Sequence, residues 1–120
     1  MEGNGSKKND LSDRLFNFSV NVLNLLKQLD KSETSKLFRY QLGKSSTSSG
    51  ANYEESQAGI SRADFINKVR IALKEMRESN YWLRLLAATN DNSKLEKQIK
   101  NLIIESDELK KILGSIVNKK

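Results

Sequence analysis

Apolar side chains return every three or four residues along three separate stretches of this chain, a period that leaves little choice but the α-helix. Leu11, Leu15, Phe18, Val22, Leu25 and Leu29 form the first seam, in a helix whose first turn starts near Asp10 or Ser12. Ile66, Val69, Leu73, Met76, Leu83 and Ala87 form the second, interrupted only by Asn80. Leu95, Ile99, Leu102, Leu109, Leu113 and Ile116 form the third, with Ser106 as its one polar step. The chain has 120 residues, no proline and six glycines, so it lacks the turn residues an all-β domain needs. The expected class is all-α, as one domain over residues 11–118 preceded by a disordered tail over residues 1–10.

Caps divide the helices. In DKSETS either Ser32 or Thr34 can cap a helix carrying Leu37, Phe38 and Leu42. Ser61, followed three residues later by Asp64, is a variant of the capping box at the head of the long third helix. That helix runs to about Ala88, where TNDNS breaks the pattern, and Ser93 can cap the last one. Phe16, Val20 and Leu23 lie off the first seam and widen its apolar surface, which implies more than one neighbour.

The stretch from Lys44 to Gln57, KSSTSSGANYEESQ, is the ambiguous part. Its serines favour a linker, which leaves three long helices and a short one from about Thr34 to Gly43. A helix this short leaves apolar faces of its partners uncovered. Read as helix, Leu42, Ser45, Ser49 and Asn52 fall near one face, and small side chains there let two helix axes approach closely. Local pattern leaves both readings open. The short connections elsewhere point to antiparallel neighbours.

Within Gln41–Leu86 the chain reads QLGKSSTSSGANYEESQ, then SRADF, then ALKEMRESNYWLRLL. These segments resemble the bacterial four-helix-bundle proteins encoded in intervening sequences of 23S ribosomal RNA genes, whose second helix carries a signature like QLLRSGTSIGANxEEAQ. The resemblance covers residues from about Leu11 to Val117, with the specific motifs in the middle. It implies that the serine-rich stretch is the second half of helix two. It also implies an up-and-down bundle that assembles into a ring, commonly a pentamer, with a basic surface for nucleic acid. A related branch, the accessory variability proteins of diversity-generating retroelements, implies a reverse transcriptase and its RNA as partners. Gly43 stands where the family usually has Leu, Lys44 where Arg is usual and Ser49 where Ile is common, so helix two is here less apolar. Gly43 in a helix interior costs about 1 kcal/mol relative to Ala, which puts local bending in question.

Function is bounded by charge and by absent residue types. Twenty-one basic against fifteen acidic residues give a formal +6, which suits a polyanionic partner. Arg70, Lys74, Arg77, Tyr81 and Arg84 step by four, three, four and three, so they form one stripe of helix three within about 40° of a common direction. Cations at about 5–6 Å intervals can track a phosphate backbone, and a tyrosine among them can stack on an unpaired base. The competing reading is a solvated face whose charges pair with Glu75 and Glu78. Arg39 and Lys44 of helix two are secondary candidates. Lys94, Lys97, Lys100, Lys110 and Lys111 sit beside acids and read as a solvated face with short-range pairs.

A second apolar ridge, Ile71, Trp82 and Leu85, turns away from the seam of helix three and belongs either to the core or to a subunit interface. Asn52 and Glu55 are expected at a helix or subunit contact, fixing register. No His and no Cys means no imidazole base, thiol nucleophile or disulfide, and no cofactor or metal site is expected. GANYE lacks the spacing of a phosphate loop. No run suits a membrane span, the N-terminus lacks the apolar stretch of a secretory signal, and a cytoplasmic home is expected. The two functions carried forward are nucleic-acid binding by a non-enzymatic oligomer and a protein-interaction scaffold.

Overall fold

The computed structural model describes residues 10–58 and 60–119. Four helices, α1 (Asp10–Lys27), α2 (Glu33–Gln57), α3 (Arg62–Thr89) and α4 (Glu96–Asn118), follow one another, with a 3₁₀ turn at Ser93–Leu95 before the last. Among the described residues there is no strand. Asp10 is the first residue of α1 rather than the last of a tail; the rest of that expected tail lies outside the described residues. No described helix is long and apolar enough to cross a membrane.

One core joins all four helices. Phe18, Val22 and Leu25 of α1, Phe38 and Leu42 of α2, Val69, Met76 and Leu83 of α3, and Ile99, Leu109 and Leu113 of α4 are buried together. Each helix packs on the next in sequence, α2 on α3 most extensively, and α4 returns to α1. Cross-contacts give the directions. Leu15 meets Gly50 while Leu26 meets Gly43, so α1 and α2 are antiparallel. Ser45 bonds Ser79 while Ser49 bonds the Ala72 carbonyl, so α2 and α3 are antiparallel too. The α1–α4 side has the thinnest packing and is clasped by a two-pronged pair, in which Arg14 Nε and Nη2 donate to the Glu105 carboxylate at 3.0 and 2.7 Å.

The serine-rich stretch is helix from end to end and supplies the α2 contact surface. Ser45, Ser46, Ser49 and Ser56 are buried. Their hydroxyls are satisfied: Ser45 Oγ lies 2.7 Å from Ser79 Oγ, Ser49 Oγ donates to the Ala72 carbonyl at 2.7 Å, and Ser46 and Ser56 donate to carbonyls three residues back. A buried hydroxyl that finds a carbonyl costs little, and its small volume lets α2 and α3 lie close. The helix also continues unbroken through Gly43, where a Cβ would meet the Leu26 Cδ1 at 3.4 Å.

Ser32, not Thr34, caps α2, accepting the Ser35 amide at 3.1 Å, and Ser61 caps α3, accepting the Asp64 amide at 3.1 Å. The expected cap at Ser93 is corrected. Asn92 Oδ1 accepts the Lys94 amide and opens a 3₁₀ turn, so α4 begins only at Glu96. Asparagine competes well for nearby amides and takes the role one residue early. Ala87, expected in the α3 seam, is exposed, and Leu86 is buried instead, in a crevice shared with Phe38 and Leu95.

Asp30 organises the α1–α2 turn. Its carboxylate accepts the Ser32 amide at 3.0 Å and the Ser35 hydroxyl at 2.7 Å. Hydrogen bonds from Ser32, side chain and backbone, and from Ser35 hold its pKa down to about 2. A depressed carboxylate pKa stabilises the fold above the ordinary Asp value, and that contribution is lost as pH falls from there through about 2. A carboxyl carbon NMR titration of Asp30 is therefore expected to have its midpoint near 2, and to move up toward the ordinary value in the Ser32→Ala, Ser35→Ala double variant.

Candidate nucleic-acid interface

Twenty-eight residues of uninterrupted helix, started by Ser61, give α3 the rigidity to hold side chains at fixed intervals. One side of it is buried through Val69, Ala72, Leu73, Met76, Ser79, Asn80, Leu83 and Leu86. Arg70, Lys74, Arg77, Tyr81 and Arg84 all lie on the exposed side. From Arg70 to Arg84 this row spans about 21 Å along the axis, at 1.5 Å per residue.

The row is not neutralised by close pairing. Among the described residues the ion pairs are Arg14–Glu105 and Lys110–Asp107, and neither involves the row. Glu75 is half-buried on the flank of α3, and burial together with Glu78 pushes its carboxyl pKa up, opposed by the charges of Lys74 and of Lys44 from α2. A raised carboxylate pKa marks a charge the fold does not favour. Glu75 and Glu78 thus repel one another without closing a pair on the cations.

One end of the row is built in depth. Asn80, 2% exposed, donates from Nδ2 to Ser106 Oγ at 2.7 Å and to Asp107 Oδ1 at 3.1 Å on α4. Its Oδ1 accepts Arg84 Nε at 2.9 Å and Lys110 Nζ at 3.4 Å. Both ends of a buried amide are therefore occupied, which links α3 to α4 in a fixed register. The same bonds set two cations from different helices beside each other, with Asp107 3.3 Å from Lys110. Arg84 also lies over the Tyr81 ring, 5.8 Å from its centroid. Tyr81 meets Trp82 edge-on at 5.4 Å, and Trp82 meets Phe38 of α2 edge-on at 6.1 Å.

The other sequence candidates are distributed differently. Arg39 does not join the row: its Nη1 donates to the Asp30 carbonyl at 2.8 Å, on the side of α2 that faces the α1 turn. Lys44 is exposed, stacks near Tyr40 at 5.7 Å and attracts Glu75, so it flanks α3 from α2. Trp82 and Leu85 are half-buried against the core, and Ile71 is half-buried as well. Asn52, expected to bond across a contact, instead reaches back one turn to the Ser48 carbonyl and hydroxyl. Glu55 is exposed, which rules out a place in the core of this chain.

Lys110 is the residue that sequence reasoning assigned elsewhere. Its pair with Asp107 is the short-range pairing expected of a solvated face, yet it also reaches Asn80 on α3. The signal was present: Asn80 and Ser106 are the lone polar steps of two apolar seams, and a polar residue in one buried seam calls for a partner in another. No described group of three or more His, Cys, Asp or Glu residues is arranged to hold a metal.

A family model described as 23S rRNA-intervening sequence protein matches residues 7–115. Among curated proteins, none matches the chain. Among solved structures, the chain is similar to a protein of unknown function from the S23 ribosomal protein family of Bacteroides thetaiotaomicron, with 38% identity and a TM-score of 0.81. The match covers 91% of this chain and 99% of that one.

Proposed function

Since the chain belongs to the 23S rRNA-intervening sequence protein family, we propose that it is a non-enzymatic oligomer that binds RNA or DNA through the exposed edge of α3. The observation that carries this reading is the row Arg70, Lys74, Arg77 and Arg84, exposed on one rigid helix and free of close ion pairs among the described residues. Lys110 extends it from α4. Phosphate contacts of this kind hold any sequence, so affinity and not base preference is what such a row supplies. Catalysis has little to work with: the chain has no His and no Cys.

The ring, with five copies favoured, is supported by apolar surface left uncovered in a single copy. Phe16, Val20 and Leu23 form an exposed stripe at helical spacing on α1, Leu37 and Tyr40 are exposed on α2, and Ile71, Trp82 and Leu85 are half-exposed on α3. Apolar stripes of this kind suit contacts between copies. The same stripes favour the second reading, a scaffold that recruits another protein such as a reverse transcriptase, with charge serving solubility.

Binding of labelled mixed-sequence RNA and DNA at two salt concentrations separates the readings. Tight binding at low salt that weakens steeply as salt rises is the expected result, and no binding at low salt rejects the nucleic-acid role in favour of the scaffold. Light scattering on the purified protein is expected to give the mass of a closed ring; a monomer at micromolar concentration contradicts it.

A further inference from the structure

Resting on the nucleic-acid reading above, we propose that the α3 edge is built for single strands, with one unpaired base stacked on the ring of Tyr81. The ring is 51% exposed in the middle of a row of cations, where a long polar or charged side chain would serve solubility equally well. Its position is held from below. Tyr81 meets Trp82 edge-on at 5.4 Å with 78° between the planes, and Trp82 meets the buried Phe38 at 6.1 Å with 87° between the planes. This chain of edge-to-face contacts ties an exposed ring to the core, so little freedom is lost when a base settles on it.

The charge over one face of the ring is held as well, so the base takes the other face. Arg84 lies 5.8 Å from the Tyr81 centroid, and its Nε is tethered at 2.9 Å to Asn80, which is itself buried and bonded to α4. Among the described residues no hydrogen bond engages its terminal guanidinium nitrogens, which suits a phosphate next to the stacked base. Lys110 stands on the same Asn80 oxygen. Guanidinium and ammonium are thus placed together by one amide, next to a ring that Trp82 holds.

A duplex cannot use this arrangement. Its bases present their faces only to one another, so Tyr81 would lie against sugar and phosphate. Even with α3 lying along a groove, the ring would meet base edges or backbone and not a base face. A duplex gains the phosphate contacts alone, whereas a single strand gains those and the stack, which is worth roughly 10- to 100-fold in affinity.

The test uses the full chain and a labelled single strand of roughly 20 nucleotides, as RNA and as DNA, against the same strand annealed to its complement, in about 50 mM salt. Single strands are expected to bind roughly tenfold or more tighter than the duplex. Tyr81→Ala should erase that difference by weakening only the single-strand complex, while Tyr81→Phe, which keeps the ring, should retain it. Equal binding of both forms, or a Tyr81→Ala loss shared by the duplex, overturns the single-strand assignment and leaves the phosphate reading standing. No binding of either form overturns both.

Discussion

Replacing Arg70, Lys74, Arg77 and Arg84 together by glutamate is expected to abolish binding of nucleic acid at physiological salt while leaving the fold unchanged. Each phosphate neutralised on a single strand contributes about −0.7 to the slope of log affinity against log salt, so four contacts give about −2.8. Between 50 and 200 mM salt the wild type then loses roughly 50-fold in affinity. The variant turns attraction into repulsion and has no such slope left. Stability is little affected because, among the described residues, only Arg84 of the four has a hydrogen bond to another side chain, at the Asn80 oxygen that Lys110 also reaches. Surface charges without partners contribute only a few tenths of a kcal/mol each. Anisotropy titrations at several salt concentrations, with circular dichroism as the control, measure both quantities. A variant that keeps the wild-type slope places the interface elsewhere.

The second large effect falls in the core and is sharpened by a neighbour two residues away. Phe18 is 1% exposed and Phe16 is 61% exposed, on the same helix. Phe18→Ala removes a ring from the centre of the α1 seam and is expected to destabilise the fold by about 3–5 kcal/mol, through lost transfer energy and the cavity left behind. That is a large part of the total for a domain of this size. Phe16→Ala is expected to change monomer stability by no more than about 0.5 kcal/mol. If the α1 stripe lies between copies, its effect instead shows as a shift of the assembly toward smaller mass. Urea unfolding and light scattering on the pair separate these outcomes, and equal destabilisation by both would refute the packing of α1.

Three of the four helices were legible because their buried faces are apolar and repeat with the helix. The second half of α2 was not, since its buried face there is made of Ser45, Ser46, Ser49 and Ser56, and a pattern search for apolar residues passes over hydroxyls. Motif resemblance identified it where periodicity could not. The cap at Ser93 was misplaced because every position from Thr89 to Ser93 offers similar chemistry, and only the geometry of the turn chooses. Arg39 looked equivalent to the α3 cations as a residue type, yet the turn beside it supplies a carbonyl at 2.8 Å.

By itself the sequence determined the all-α class, most of the core face of each apolar helix, and the alignment of Arg70, Lys74, Arg77, Tyr81 and Arg84 on one stripe. All of these follow from the turn of a single helix, which depends on neighbours in the chain. Only the tertiary structure decided that the stripe stays free of ion pairs among the described residues, that Lys110 joins it, and that Asn80 and Trp82 hold Arg84 and Tyr81 in place. Those facts depend on which residues of different helices come within hydrogen-bond or van der Waals reach, and such meetings are set by how the helices pack.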